Sequence, residues 1–299
     1  LDYMNNLDEV IPVLEKLMEI DPDNRGLKAG VHLAILQFLE NNFSDSKKIL
    51  IACQNIQEKT TSDFNNHKLY QYYLLKMLSN HEKNSPTLNS SQLKKKLYVI
   101  GESHSLVSHG LQIPILGEDF SCKSLLVPGC KQFDLGNNMI NKFKYKFKNI
   151  FCSLPKNSLI LLVFGEIDCR LNGGILKHRD KHPQNKLTDL IENTVENYLN
   201  YIFKLNSACE HNIIIQGVPC PNINIKDIST VKIEELIYVI REFNSALKDK
   251  SKKKGFGFLD VHKLTDNGNG FSNNVWNLDT FHLSHEGMYE AWRLHARYK

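Results

Sequence analysis

No stretch of this 299-residue chain is apolar for long enough to span a membrane. Charge of one sign is equally scarce: 37 Lys+Arg against 33 Asp+Glu leave a formal net charge of +4, too little to argue for a nucleic-acid partner. The short basic runs Lys94-Lys95-Lys96 and Lys250-Ser251-Lys252-Lys253-Lys254 read as solvated surface, the second at a helix end whose dipole lysines complement. Cys53, Cys122, Cys130, Cys152, Cys169, Cys209 and Cys220 contain no Cys-x-x-Cys pair. That spacing excludes a zinc knuckle or dithiol motif and points to a reducing, cytoplasmic compartment. Asp21-x-Asp23 begins like a calcium loop, but Arg25 and His32 at its fifth and twelfth positions exclude an EF-hand. Gly173-Gly174 and the Asp266-Asn267-Gly268-Asn269-Gly270 cluster do not form a nucleotide fingerprint; the second does not open a helix after a strand. The chain begins at Leu1 and not at methionine, as a piece of a longer protein would, so a missing signal peptide carries no weight.

What is present falls into two parts. Residues 1–82 read as α-helical, with amphipathic segments at 7–20, 26–39, 44–56 and 67–78 and a turn at Asp21-Pro22-Asp23-Asn24. This spacing resembles a degenerate tetratricopeptide repeat, with plain helical hairpins as the alternative. One repeat cannot bury its own face, so the segment needs further packing, and a protein partner is one way to supply it. Residues 83–96 form a polar linker. From 97 to 299 strands expected at 97–100, 123–127, 158–164, 212–217 and 256–261 alternate with helices near 185–206, 231–250 and 285–297. That alternation predicts an α/β domain with a parallel sheet covered on both faces.

The chemistry-bearing segments lie in this second part. Leu97-Tyr98-Val99-Ile100 runs into Gly101-Glu102-Ser103-His104-Ser105, which presents Ser103 at a strand end. Asp279-Thr280-Phe281-His282 stands just before the last helix. A serine hydroxyl is a weak nucleophile until a base takes its proton, and the base works best with a carboxylate fixing its tautomer. The serine is not in a Gly-x-Ser-x-Gly elbow, and acid and base are nearly adjacent, which excludes the α/β-hydrolase arrangement. The pattern resembles the SGNH (GDSL-like) hydrolase family, whose first block is Gly-Asp-Ser and whose last is Asp-x-x-His. The resemblance covers about the last 200 residues, the size of one α/β domain.

The resemblance implies a flavodoxin-like three-layer sheet, Ser103 as nucleophile, His282 as base and Asp279 as its orienting acid, with no metal or organic cofactor. It implies an oxyanion hole from the N–H groups of Ser103 and Gly129, with Gly136 the weaker alternative to Gly129. The third family block, Gly-x-Asn-Asp, is matched at Gly165 and Asp168, which with Glu166 border the site. Ile167 stands at the asparagine position and cannot donate a hydrogen bond, so Arg170 is the candidate replacement; its alternative is to pair with Glu166 or Glu102 and brace the loop. Glu102 replaces the family's aspartate. His285 is a rival base, and Ser284 is the expected cap of the last helix. His104 is expected to point away as a bystander. His178 and His182 have metal-ligand spacing, but flanking Lys177, Arg179 and Lys181 would repel a cation. The expected activity is serine-dependent hydrolysis or transfer of acyl esters, with an O-acetylated carbohydrate as the substrate guess. The rival reading is a non-catalytic scaffold that binds proteins through its helices.

Overall fold

In a computed structural model of the chain, residues 7–20, 26–57, 65–84, 95–115, 117–226 and 228–297 are described. The chain divides into two compact units, residues 1–91 and 92–299.

In the first unit the described residues form α1 (Leu7–Ile20), α2 (Leu27–Leu39), α3 (Phe43–Gln57) and α4 (Asn65–Asn84). Ten of the thirteen residues of α2 are buried. A helix apolar on most sides has to be enclosed, and α1, α3 and α4 all pack against it. Ser46 Oγ donates to the Ala34 carbonyl and Gln71 Nε2 to the Leu50 carbonyl, each at 2.8 Å, so the polar groups carried inside are satisfied. The Asp21-Pro22-Asp23-Asn24 turn of the tetratricopeptide resemblance lies outside the described residues.

The second unit is built on β1 (Lys95–Gly101), β2 (Gln112–Ile115), β3 (Glu118–Leu126), β4 (Leu159–Val163), β5 (Asn212–Gln216) and β6 (Gly257–Leu259). They form one sheet of order β2-β3-β1-β4-β5-β6. Only the edge strand β2 is antiparallel; β3, β1, β4, β5 and β6 run parallel, in flavodoxin-like order. The helical elements are α5 (Gln132–Gly136), α6 (Lys142–Ser153), α7 (Glu166–Cys169), α8 (Gly174–Lys181), α9 (Leu187–Asn206), α10 (Thr230–Lys253), α11 (Val261–Thr265) and α12 (His285–Arg297), with a 3-10 turn at Ser103–Ser108.

Strand side chains alternate between faces, so each register pair stacks on one side. Ile100, Ile160, Leu162, Ile213 and Ile215 belong to a buried cluster with Phe147 and Phe151 of α6, Tyr198 and Leu199 of α9, and Phe243 and Leu247 of α10. Leu97, Val99, Leu161 and Leu259 on the alternate positions are also fully buried. Both faces are covered, as a parallel sheet requires. The chain steps from β1 to β3 on one side and then to β4 on the other, which places the topological switch point at the carboxyl ends of β1 and β4. Open α/β sheets bind ligands at that crevice.

Candidate active site

β1 delivers Ser103 to the switch point. The Glu102 N–H donates to the Val163 carbonyl at 3.3 Å, keeping the turn beside β4, and the chain then winds into the 3-10 turn. Ser103 is 6% exposed. Its Oγ lies 2.9 Å from His282 Nε2 and 2.7 Å from Glu102 Oε2.

The acid and base arrive on one folded-back loop. The Leu278 N–H donates to the His282 carbonyl and the Ser284 N–H to the Trp276 carbonyl, both at 2.8 Å, closing residues 276–284 into a tight hairpin-like turn. Within it Asp279 Oδ1 accepts from the N–H groups of Phe281 (2.8 Å) and His282 (2.7 Å). The same carboxylate faces His282 Nδ1 at 3.0 and 2.9 Å. Three-residue spacing therefore suffices: the turn fixes the acid, and the acid fixes the ring. Ser284 Oγ accepts from the Gly287 N–H at 3.0 Å and caps α12, which leaves Asp279 free for this role. Asn222 Nδ2 reaches the Asp279 carbonyl at 3.3 Å. His285 is buried, but it is His282 that faces Ser103.

On the opposite side stands the turn after β3. Gly129 has φ of 68°, a left-handed conformation that favours glycine, and a side chain there would meet open space. Its N–H makes no hydrogen bond among the described residues. Gly136 does a packing job: a Cβ would lie 2.7 Å from the Tyr198 backbone nitrogen, so the glycine lets α5 press against α9. Asp168 is 1% exposed and accepts from the Gln132 (2.8 Å) and Phe133 (3.1 Å) N–H groups, tying the β4 turn to the start of α5. Burial pushes its carboxyl up to about 7, and those two N–H donors act against the rise. Arg170 adopts the bracing arrangement. Its Nε lies 2.9 and 2.8 Å from the Glu166 oxygens, and its guanidinium stands 4.6 Å from the centre of the Phe281 ring.

The expectation that His104 points away needs correction. It is 3% exposed and faces inward. Its Nδ1 lies 2.7 Å from Glu102 Oε1, its Nε2 lies 2.9 Å from the Phe281 carbonyl, and its ring centre is 4.3 Å from that of His282. The 3-10 turn swings it back under the serine. Sequence spacing showed Glu102 two residues away but gave no sign of Phe281, 177 residues on.

These contacts divide the charges. Burial alone would raise Glu102, but the charge and hydrogen bonding of His104, with the Ser103 hydroxyl, hold it at about 2. Burial would lower His104, yet Glu102 overrides that and lifts it to about 9. Burial would likewise raise Asp279, but its bonds to His282 and Phe281 bring it to about 2. His282 moves below the ordinary imidazole value because burial and the neighbouring His104 charge together outweigh Asp279 and Glu102.

Two other places bear on ligands. Among the described residues, Cys220, His262 and Asp266 offer metal-ligating atoms within 4.8 Å of one another. The His178 and His182 rings are 4.6 Å apart, with Asn185 Nδ2 3.2 Å from His178 Nε2. A cavity of about 500 Å³ between α5, α8 and α9 is lined by Asn137, Asn138, Asn193, Asn197, Lys131 and Lys177 among others.

No family model matches the chain, and no curated protein matches it. Solved structures that it is similar to include a GDSL-like lipase from Bacteroides thetaiotaomicron, at 14% identity over 68% of this chain and 86% of that one, with a TM-score of 0.42. A lipase/acylhydrolase from Enterococcus faecalis is 14% identical over 68% of this chain and 96% of that one, TM-score 0.40. An extracellular lipase from Streptomyces rimosus is 12% identical over 67% and 99%, TM-score 0.40.

Proposed function

We propose that residues 92–299 form a serine-dependent acyl-ester hydrolase or O-acyltransferase, with Ser103 as nucleophile, His282 as base and Asp279 as its orienting acid. The continuous relay from Asp279 through His282 to Ser103 Oγ, with contacts of 2.9 and 2.9 Å, carries the reading. His282 Nε2 takes the hydroxyl proton while Oγ attacks the ester carbonyl carbon, and Asp279 stabilises the imidazolium that forms. The resulting oxyanion is held by the N–H groups of Ser103 and Gly129. Collapse expels the alcohol, protonated by His282, and leaves Ser103 acylated. Water or a sugar hydroxyl, deprotonated by His282, then attacks the acyl carbon and frees the serine. Neither step calls for a metal or an organic cofactor.

A short acyl ester of a carbohydrate is the proposed substrate. The amides of Asn137, Asn138, Asn193 and Asn197 around one cavity support it, since amides pair readily with sugar hydroxyls. Ser103 is not among that cavity's lining residues, so it would serve a part of the substrate remote from the ester. The helical unit exposes Val13, Ile20, Ile51 and Tyr72, which supports a protein-partner role for it. A fluorophosphonate probe and p-nitrophenyl acetate test the chemistry. Labelling and turnover in the wild type, both lost in Ser103→Ala, are expected. An unlabelled wild type would favour the scaffold reading instead.

A further inference from the structure

His104 is buried beside the proposed base and has no role in the relay just described. Its Nε2 lies 2.9 Å from the Phe281 carbonyl, and its Nδ1 lies 2.7 Å from Glu102 Oε1 as an ion pair, out of line for a hydrogen bond. A carbonyl only accepts, so Nε2 carries a hydrogen, and a carboxylate this close to a buried ring favours its charged form. His104 is therefore read as an imidazolium, its charge held by the Glu102 carboxylate beside it. Its binding partner Phe281 is the residue before His282, inside the loop that carries acid and base.

The Ser103 hydroxyl has a matching problem. It stands 2.7 Å from Glu102 Oε2 and 2.9 Å from His282 Nε2, with one hydrogen to give. When His282 is protonated, its Nε2–H donates to Oγ and the hydroxyl donates to Glu102. When His282 is neutral, the hydroxyl donates to His282, and only this arrangement lets the base take the proton. Glu102 favours the first arrangement. The His104 cation, 4.3 Å away between ring centres, favours the second.

The geometry points to His104 as a positioning residue for the proposed base: a fixed imidazolium that ties the Asp279–His282 loop to the nucleophile turn and sets the pH at which the Ser103 hydroxyl turns from Glu102 to His282. This rests on the reading of Ser103 and His282 as nucleophile and base. Among the described residues, the charged and titratable groups that act most on the pair are Glu102 on the same turn, Asp279 on the base loop, and Glu166 with its partner Arg170 after β4. Glu166 adds negative charge near His104, and Arg170 neutralises much of it, so Glu102 is the chief counter-ion. The directions of the titration shifts at His104 and His282 agree with this picture.

The test reads the histidines directly and so does not depend on turnover. Imidazole nuclear magnetic resonance on the full chain, with signals assigned by loss in His104→Gln and His282→Asn, follows both rings against pH. In the wild type His104 is expected to stay doubly protonated through neutral pH, with His282 titrating below its ordinary value. In His104→Gln the His282 midpoint is expected to rise by about one unit, the size of one near like charge. In Glu102→Gln, which keeps an oxygen for the Ser103 hydroxyl, His104 is expected to titrate lower than in the wild type. A wild-type His104 that titrates at the ordinary histidine value overturns the proposal; if the variants misfold, its ring signals are assigned through the backbone of the wild type instead. A His282 midpoint that stays put or falls in folded His104→Gln overturns it as well. If p-nitrophenyl acetate is hydrolysed, the acid limb of kcat/KM in His104→Gln should move with the His282 midpoint. Absence of turnover with the nuclear magnetic resonance shifts intact would count against the acyl-transfer reading, and with it the positioning role, while leaving the charge coupling of His104 to His282 standing.

Discussion

Two acid–histidine pairs meet at the end of β1, and they are built from the same parts. Asp279 faces His282 Nδ1 at 2.9 Å, and Glu102 faces His104 Nδ1 at 2.7 Å. What separates them is the group at the other nitrogen. His282 Nε2 meets a serine hydroxyl, which can give or accept a hydrogen, so this ring is free to change charge. His104 Nε2 meets a backbone carbonyl, which only accepts, so that nitrogen keeps its hydrogen, and the Glu102 carboxylate beside Nδ1 holds the ring charged through neutral pH. A histidine becomes a base or a fixed cation according to the second group it touches.

The largest effects should fall on one pair only. Ser103→Ala or His282→Asn is expected to lower kcat by at least about 10⁴-fold, as in other relays whose members act together. His104→Gln should leave the neutral-pH rate within about tenfold, since its ring touches no reacting atom. Equal losses in both histidine variants would erase the distinction. The acids sharpen it: Asp279→Asn is expected to cost roughly 10³–10⁴ in kcat by presenting the wrong tautomer, whereas Glu102→Gln still offers an acceptor to Ser103. Steady-state kinetics at pH 8 decides both.

Stability against pH isolates the fixed cation. His104 binds its proton more tightly folded, at about 9, than unfolded, near 6.5. Above the unfolded value the native state keeps a proton that the unfolded chain has lost, so unfolding becomes easier as pH rises, by about 1.4 kcal/mol per unit until the folded value is passed. Most other groups act elsewhere. Glu102 and Asp279, held at about 2, matter only below their unfolded values near 4. His282, held low, costs stability only below about 6.5. Asp168, raised to about 7, is half titrated at pH 7, and the unfolded chain's thiols, raised from 9.0 where buried in the fold, start to ionise below pH 9. These groups together add a loss of about 1 kcal/mol that is the same with or without His104. Between pH 7 and 8.5 the His104 proton alone should account for a loss of roughly 2 kcal/mol. His104→Gln should lose about 2 kcal/mol less than the wild type across that range. The chain's two tryptophans, Trp276 and Trp292, both lie in residues 92–299, so their fluorescence reports this unit alone.

Much of the sheet was legible because its strands are buried runs that need no context: Ile160, Leu161 and Leu162 are fully buried in β4, and the expected segment 158–164 brackets Leu159–Val163. β2 was not foreseen, since Gln112-Ile113-Pro114-Ile115 is too short to show a period and forms only by pairing with β3. α6 was hidden by its Lys-Phe-Lys-Tyr-Lys-Phe alternation, which has the period of a strand. Asn141 caps it, and Phe147 and Phe151, four apart, bury one helical face. At the site, Ser103, Asp279 and His282 could be found because the acid and base are close in sequence and the serine ends a strand. The place of His104 could not, because the residue that locks it is brought near only by the fold.

The smallest expected effect concerns Arg170, which touches the same loop from outside. Its guanidinium is engaged by both Glu166 oxygens and lies over the Phe281 ring, whose backbone carbonyl holds His104. As an oxyanion donor it would have to leave Glu166, and its loss would then cost about a hundredfold in kcat. As a brace it shares its cost between a part-exposed ion pair and a cation–π contact, together about 1 kcal/mol. The bracing geometry is the one observed, so Arg170→Met should lower thermal stability by that small amount and change kcat less than about tenfold. Arg170→Lys keeps the charge but loses the planar two-pronged grip, so it should recover only part of the stability. A hundredfold fall in kcat for Arg170→Met at unchanged stability would reverse the assignment, making Arg170 the donor that Ile167 cannot be.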